Sequence, residues 1–174
     1  MVDPEEPLEV VNERGEVVGV ARRSEIHGNP SLIHRVVHVL VFDEAGRLLL
    51  QKRSMNKDVA PGKWDTSVGG HVGAGEDLTA AARRELEEEL GPDVCGHLQY
   101  LYSYMYRDRH ETELVATYLC VAEGDIFFNR YDIDEVRFWS LKEIRAAAGK
   151  GIFSSHFEDE LRNYLSHTPR ASGP

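Results

Sequence analysis

The chain has 174 residues, of which 41% are hydrophobic and 29% are charged, as in ordinary folded domains. This length fits one domain, which we expect to span residues 1–167, with residues 168–174 forming a loose tail. The 30 acidic and 20 basic side chains give a formal net charge of -10. Because this charge repels a long polyanion, a nucleic acid polymer is not an expected partner.

The first part of the chain is predicted to form short strands joined by polar turns. Runs rich in Val and Leu indicate strands, and Asn, Asp and Gly between them indicate turns. The turns at residues 12–15 and 43–46 each join two strands into a hairpin. The predicted strands, in chain order, are Leu8–Val11, Glu16–Ala21, Arg35–Phe42, Leu48–Lys52 and Trp64–Val68.

A helix is predicted in the middle of the chain, from Leu78 to Leu90. Apolar residues recur there at every fourth position, which is the spacing of one helical face. Asp77 lies at the expected start of the helix, and the pair Gly91-Pro92 ends the pattern.

Further strands and two more helices are predicted after this helix. Two aromatic and β-branched runs around a polar turn predict another hairpin, and a Ser followed three residues later by a Glu predicts a helix start. This largely non-alternating order indicates a mixed α/β or α+β domain. The predicted strands are Leu98–Tyr106, Leu114–Val121 and Val136–Trp139, and the predicted helix starts are Ser140 with Glu143 and Ser155 with Glu158.

The cysteines and the N-terminal segment bear on the compartment of the protein. Cys95 and Cys120 are too few and too far apart for a disulfide framework or a Cys-based zinc site, and we expect both to be buried thiols. Residues 1–9 are acidic and lack the pattern of a signal peptide, and no apolar run approaches membrane-spanning length. We therefore expect a cytoplasmic protein without a membrane partner.

The segment from residue 69 to residue 91 carries the strongest chemical pattern. Its glycines form a loop that lets the backbone come close to a ligand. Glu85, Glu88 and Glu89 follow at spacings that place them side by side on one helical face. Such a face is often only a solvated acidic surface, but clustered carboxylates are also the oxygen ligands that Mg²⁺ and Mn²⁺ prefer.

The full spacing of this segment resembles the Nudix box of the Nudix hydrolase superfamily. The resemblance implies a Nudix-like α/β/α sandwich with a mixed sheet, and metal-dependent hydrolysis of a phosphoanhydride bond. Pro92 departs from the family pattern, which has an aliphatic residue there, so we expect an altered loop after the helix. The matching positions are Gly70, Glu76, Arg84, Glu85, Leu86, Glu88, Glu89 and Gly91.

The same resemblance implies a role for each polar residue of the box. Glu85, Glu88 and Glu89 look like the metal ligands, with Glu88 or Glu89 also acting as the catalytic base. Arg84 looks like the partner of Glu76, and this pair braces the loop and helix of the catalytic segment. The carbonyl of Gly70 looks like a further metal ligand.

Outside the box, the chain resembles the branch of the superfamily that includes type I isopentenyl diphosphate isomerase. The run from Gln51 to Ser54, together with Lys57 and Trp64, is similar to that branch. By this resemblance Arg53 and Lys57 would hold the substrate diphosphate, as an Arg fork and a Lys point charge. Two cations after a strand are also typical of an ordinary solvated turn.

The resemblance to the isomerases also implies a second divalent metal. Those enzymes hold a metal with three His and two Glu, and the matching residues here are His27, His34, His71, Glu111 and Glu113. The position of the isomerase cysteine, however, holds a glycine at residue 69. Glycine has no side chain to move the proton that allylic isomerisation requires, so hydrolysis is favoured over isomerisation.

Three functions therefore follow from the sequence. The leading hypothesis is a hydrolase that uses Mg²⁺ or Mn²⁺ to cleave a nucleoside diphosphate derivative or a similar small diphosphate. The alternatives are an enzyme with isomerase-like chemistry on an isoprenoid diphosphate and a non-catalytic module that binds a nucleotide. The sequence leaves a monomer and a homodimer both open.

Overall fold

The computed structural model describes residues 3–168. Most of the predicted tail, residues 169–174, lies outside the described residues. The strands are β1 (Pro7–Val11), β2 (Val17–Arg22), β3 (Ile33–Phe42), β4 (Leu48–Arg53), β5 (Trp64–Asp65), β6 (Val68–His71), β7 (Gln99–Arg107), β8 (Thr112–Val121) and β9 (Ile133–Trp139). The helices are α1 (Arg23–Ile26), α2 (Leu78–Leu90), α3 (Leu141–Ala147) and α4 (Ser155–His167).

Strand β3 is the centre of a mixed sheet. It pairs in parallel with β8 over its whole length, and it pairs antiparallel with β1 and β6. With β4 it pairs only at Phe42 and Leu48, beside the predicted turn, because β4 turns away to pair with β5 and β9. Nine of the ten residues of β3 are buried, as expected for a strand with protein on both faces.

Helices cover both faces of this sheet. On one face Val37, Val39 and Val41 belong to a core cluster with Leu86 and Leu90 of α2. On the other face Leu40 and Leu50 pack with Ile144 of α3 and with Phe157 and Leu161 of α4. The chain therefore forms the predicted α/β/α sandwich with a mixed sheet. Among the described residues, no helix combines the length and apolarity that crossing a membrane requires.

The predicted strand Trp64–Val68 is wrong, because the chain breaks there into β5 and β6. The Ser67 side chain lies at this break, where its Oγ accepts a hydrogen bond from Val41 N at 3.0 Å and donates one to Leu49 O at 2.5 Å. The hydroxyl thus joins β3 to β4 where their backbones no longer pair. The second strand, β6, continues beyond the predicted end to His71.

The ends of α2 and the start of α3 lie where the sequence predicted them. Asp77 accepts hydrogen bonds from the backbone of residues 79 and 80, and Gly91 ends the helix with a φ of 102°. At α3, Ser140 and Glu143 form the predicted reciprocal capping box.

The predicted capping box at the start of α4 is wrong. The residue that caps this helix is Ser154, whose Oγ accepts a hydrogen bond from Phe157 N at 3.0 Å. Ser155 already lies in the first helical turn. Glu158 accepts instead from Gly149 N at 2.8 Å, so it ties the helix to the preceding loop.

Candidate active site

The three candidate ligands of the Nudix-like segment lie along one edge of α2. Leu86 and Leu90 of this helix point into the core, and Glu85, Glu88 and Glu89 lie on the neighbouring face. Burial differs along this face, since the side chain of Glu85 is 14% exposed and that of Glu88 is 59% exposed. The helix thus presents one largely buried and one largely exposed carboxylate.

The expected brace between Glu76 and Arg84 is present. The guanidinium of Arg84 donates to both carboxylate oxygens of Glu76 at 2.9 Å, and to Glu85 Oε1 at 2.7 Å. It also donates to the backbone carbonyl of His71 at 3.0 Å. The hydrogen bonds from Arg84 lower the pKa of Glu76 despite its partial burial, and Arg84 therefore fixes the loop, the helix and one candidate ligand together.

Gly70 lies directly against the Glu85 carboxylate. A Cβ atom built on Gly70 would lie 2.0 Å from the carboxyl carbon of Glu85, a distance at which one of them must move. The side chain of any other residue would therefore displace this candidate ligand. The structure gives a steric reason for glycine at the position where the sequence predicted a backbone ligand.

Burial makes two of the carboxylates costly to ionise when no cation is near. It raises the pKa of Glu85, and together with the charge of Glu85 it raises the pKa of Glu89 to about 8. The side-chain amide of Gln51 donates to Glu89 Oε2 at 2.8 Å, which opposes this shift only in part. A hard divalent cation such as Mg²⁺ or Mn²⁺ would offset the free-energy cost of ionising these buried carboxylates and would use their oxygens as ligands.

The three histidines and two glutamates predicted as a second site also come together. Their possible ligand atoms form two groups, each with all its atoms within 4.8 Å of one another. The first group is His27, His34 and His71, and the second is His34, Glu111 and Glu113. We call these five residues the His/Glu cluster.

His34 is the shared member of the His/Glu cluster, and its side chain lacks a hydrogen bond in the described part of the chain. The ring is fully buried and neither nitrogen has a partner, an arrangement that costs free energy unless a ligand satisfies it. Burial lowers the pKa of His34 and, with the charge of Arg23, holds the pKa of His71 well below its usual value. Both rings are then neutral at pH 7, which is the form that binds metals.

Arg23 contacts the cluster in a way that the sequence did not reveal. It donates to His71 Nδ1 at 2.8 Å, so the proton of the neutral ring lies on Nε2, and Nε2 is 3.2 Å from His27 Nε2. Ligation through His71 Nε2 would therefore require this proton to leave or the ring to turn.

His156, at the start of α4, is a neighbour of the cluster that sequence reasoning missed. Its Nε2 lies 3.4 Å from Glu111 Oε1 and 3.5 Å from Glu113 Oε2, and its ring stacks on Tyr106 at 4.1 Å. Although burial opposes the charge, these two carboxylates raise the pKa of His156 to about 10. A cationic His156 thus balances the two acids from the α4 side.

The two predicted phosphate-binding cations are both paired with carboxylates. Arg53 Nη1 lies 3.2 Å from Asp65 Oδ2, and Lys57 Nζ lies 2.8 Å from Asp132 Oδ1. Both side chains are about one-quarter exposed, at 24% and 27%. To hold a substrate diphosphate, each would have to share or exchange its present partner.

The described residues place no thiol near either group of candidate ligands. Cys95 and Cys120 are buried, as predicted, in the core on the α2 side of the sheet. At Gly69, the position that the resemblance matches to the isomerase cysteine, a Cβ atom would lie 3.2 Å from the ring of His38. The space next to Gly69 is thus bounded by an imidazole.

Comparisons with known proteins agree with this arrangement. The NUDIX domain profile matches residues 32–158. An uncharacterized Nudix hydrolase of Escherichia coli (strain K12), YfcD, is 34% identical over 139 residues, covering 80% of this chain and 76% of that protein. An isopentenyl-diphosphate Delta-isomerase of Streptomyces avermitilis is 33% identical over 172 residues, covering 96% of this chain and 87% of that protein.

A solved structure extends the similarity to the fold. The crystal structure of DR0079 from Deinococcus radiodurans has a TM-score of 0.76 and 28% sequence identity, and the match covers 91% of this chain and 98% of that chain. The profile match alone spans well over half of the present sequence and includes all of α2 with the loop before it. The chain therefore belongs to the Nudix family, whose members generally use divalent metals. Its relatives in this family include proteins named as hydrolases and proteins named as isomerases.

Proposed function

We propose that this Nudix protein is a metal-dependent hydrolase that cleaves a phosphoanhydride bond in a nucleoside diphosphate derivative or a similar small diphosphate. The observation that supports it best is the row of Glu85, Glu88 and Glu89 on α2, in which Glu85 lies against the bare backbone of Gly70. Clustered carboxylate oxygens are the ligands that hard divalent cations prefer, and such cations also bind the oxygens of a diphosphate. Bound Mg²⁺ or Mn²⁺ would polarise the phosphoryl oxygens and activate a water molecule.

The protein's own residues would divide the remaining work. Arg84, held by Glu76, orients Glu85 and keeps the loop at Gly70 in place. Glu88 or Glu89 accepts the proton of the attacking water, Glu88 from the exposed surface of the helix and Glu89 from its buried edge.

Arg53 and Lys57 would neutralise the diphosphate as it enters. Their present partners, Asp65 and Asp132, are carboxylates of the same protein, so an incoming phosphate competes for cations that are already positioned. A bidentate guanidinium and a mobile ammonium suit the two phosphates of such a substrate.

Isomerase-like chemistry is the second candidate, and the assembled His/Glu cluster is the observation that favours it. The chain, however, has no thiol at residue 69, where the isomerases have their catalytic cysteine. A nucleotide-binding module without activity is the third candidate, but it gives no reason for the braced carboxylates of α2.

One experiment separates the three candidates. The protein is incubated with Mg²⁺ or Mn²⁺ and a panel of nucleoside diphosphates, nucleoside diphosphate sugars and isopentenyl diphosphate. We expect metal-dependent cleavage of the phosphoanhydride bond in at least one nucleotide compound, measured as orthophosphate from a nucleoside diphosphate or as a nucleoside monophosphate and a sugar phosphate from a nucleoside diphosphate sugar. An allylic isomer without phosphate release would establish the isomerase instead, and tight nucleotide binding without any turnover would establish the binding module.

The His/Glu cluster predicts a second bound metal per chain. We expect His34→Gln to lower the Mn²⁺ content after dialysis by about one ion per chain, because His34 belongs to both groups of ligand atoms. The measurement is elemental analysis, with circular dichroism to verify the fold. His97→Gln, at an exposed position, is the matched control. Equal metal contents in the wild type and the His34 variant would contradict the assignment.

A further inference from the structure

His38 lies on the same face of β3 as His34, but it has no place in the chemistry described above. It pairs across the sheet with Gly69 of β6 and with Thr117 of β8, and it is 4% exposed. Its Nδ1 atom lies 2.7 Å from Glu160 Oε2, on α4. The ring is therefore held between the sheet and the last helix.

Glu160 is an ionised carboxylate that fixes the orientation of this ring. It is fully buried and accepts hydrogen bonds from Tyr102 at 2.6 Å, Thr117 at 2.9 Å and Tyr104 at 3.0 Å. Although burial raises its pKa, the bonds from His38, Tyr102 and Thr117 lower the pKa of Glu160 overall. The carboxylate can only accept, so Nδ1 of His38 carries the proton that it receives.

The other nitrogen of His38 is consequently a free acceptor in the neutral ring. In the described part of the chain Nε2 has no hydrogen bond, and it faces the space that a side chain at residue 69 would fill. A Cβ atom on Gly69 would lie 3.5 Å from Nε2 and 3.2 Å from Cδ2. This acceptor is therefore available for a hydrogen bond from a ligand donor.

This space adjoins the His/Glu cluster. Gly69 and His71 are two positions apart on β6, which is a distance of about 7 Å. On α4 the same separation is one helical turn, because His156 beside the cluster and Glu160 beside His38 are four residues apart. One wall thus carries metal-ligand candidates at one end and the His38 acceptor at the other.

We propose that the space over Gly69 is a substrate subsite in which His38 Nε2 accepts a hydrogen bond from a hydroxyl group. The inference rests on the proposed function and narrows its substrates to diphosphates that carry such a donor near the phosphates, such as nucleoside or sugar diphosphates. A hydrocarbon chain would leave Nε2 unpaired, so sites of this kind discriminate strongly against ligands that lack the donor. Glu160 is a positioning residue in this arrangement.

The test compares ligands that differ in hydroxyl groups. Initial rates of phosphate release with Mg²⁺ are measured for ADP, for 2′,3′-dideoxy-ADP and for isopentenyl diphosphate. We expect the wild type to favour ADP by at least about tenfold in kcat/KM over both hydroxyl-free compounds. His38→Gln keeps a donor for Glu160 but removes the ring acceptor, and we expect it to abolish this preference, while His97→Gln retains it.

Gly69→Ala tests the subsite by adding a methyl group 3.2 Å from His38 Cδ2, a contact to which the ring can adjust by a few tenths of an ångström while its bond to Glu160 is kept. Its Cβ would fill the space beside His38 Nε2, and the position does not require a positive φ. We expect it to lower kcat/KM for ADP by about tenfold or more at an unchanged melting temperature. Variants that lose stability but keep the wild-type preference among substrates would show a purely structural role and overturn the subsite.

The subsite and the proposed function can fail separately. Hydrolysis of all three compounds at equal kcat/KM would overturn the subsite and leave the hydrolase. If none releases phosphate, the hydrolase fails for this panel and the subsite is judged by binding. The ¹⁵N resonance of His38 Nε2 should then shift when ADP and Mg²⁺ are added, but not with isopentenyl diphosphate. An unchanged resonance with both ligands would overturn it.

Discussion

The variant Glu89→Gln is expected to lower kcat about a thousandfold, while Glu87→Gln, two positions earlier on α2, stays near the wild-type value. Glu89 lies on the ligand face and is bonded to Gln51, whereas Glu87 is exposed on another side of the helix. The substitution keeps the shape of the side chain and removes the charge that would attract a cation. Steady-state rates at saturating Mg²⁺ on the best substrate of the panel give the comparison.

Without metal, the stability of the Glu89→Gln variant relative to the wild type should be higher at pH 8 than at pH 5. Because burial raises the pKa of Glu89 to about 8, the folded chain holds one more proton than the unfolded chain between about pH 4.3 and pH 8. Metal-free wild-type stability therefore falls as the pH rises through this window, and Glu89→Gln lacks that contribution to the slope. Melting temperatures at pH 5 and pH 8 with a chelator measure this slope.

Normal turnover in both Glu88→Gln and Glu89→Gln would refute the function assigned to this helix.

Gly70→Ala is expected to lower kcat/KM about a hundredfold or more, with the fold retained. The new Cβ would overlap the Glu85 carboxylate, and this side chain can move away only by breaking its hydrogen bond with Arg84. A candidate ligand would then be displaced from its cation while the backbone stays in place. Rates at increasing Mg²⁺ are the measurement, and part of the loss should be recovered at high Mg²⁺.

Gly73→Ala is the matched control for this substitution. Gly73 lies in the same loop, but a Cβ there would meet its nearest neighbour, Glu76, at an ordinary contact distance of 3.5 Å. We expect this variant to keep its activity within a few-fold of the wild type. Equal losses in the two variants would mean that the loop tolerates a side chain at neither position. They would contradict a specific effect of the contact between Gly70 and Glu85.

The parts that could be predicted from the sequence depend on short-range spacing. The Glu76–Arg84 brace follows from the resemblance to the Nudix box. The bounds of α2 and its Asp77 cap follow from residues within about four helical turns of each other, where geometry is set by the helix itself. The acidic face is predictable for the same reason. Only the resemblance to the isomerases predicts Glu111 and Glu113, because the predicted strand begins at Leu114, whereas β8 begins at Thr112.

The missed features depend on contacts between distant segments. Ser67 breaks the predicted strand because it bonds to β3 and β4, and neither contact is visible in the local pattern. His156 and Glu160 are spaced like one helical face, which is a signal, but an amphipathic helix gives no indication of the partners it will meet. The ion pairs of Arg53 and Lys57 are hidden for the same reason.

The register of β3 against β8 would link folding to the binding of the proposed second metal. Val36 pairs with Val115 and His34 with Glu113, so one register serves both the core and the His/Glu cluster. Slipping by a single residue would turn every side chain of one strand to the opposite face and separate this histidine from its acid. These strands are distant in sequence and their pairing closes a long loop, which is slow. A nascent chain should therefore gain this cation late, and the bound ion would then lock the alignment that created its site.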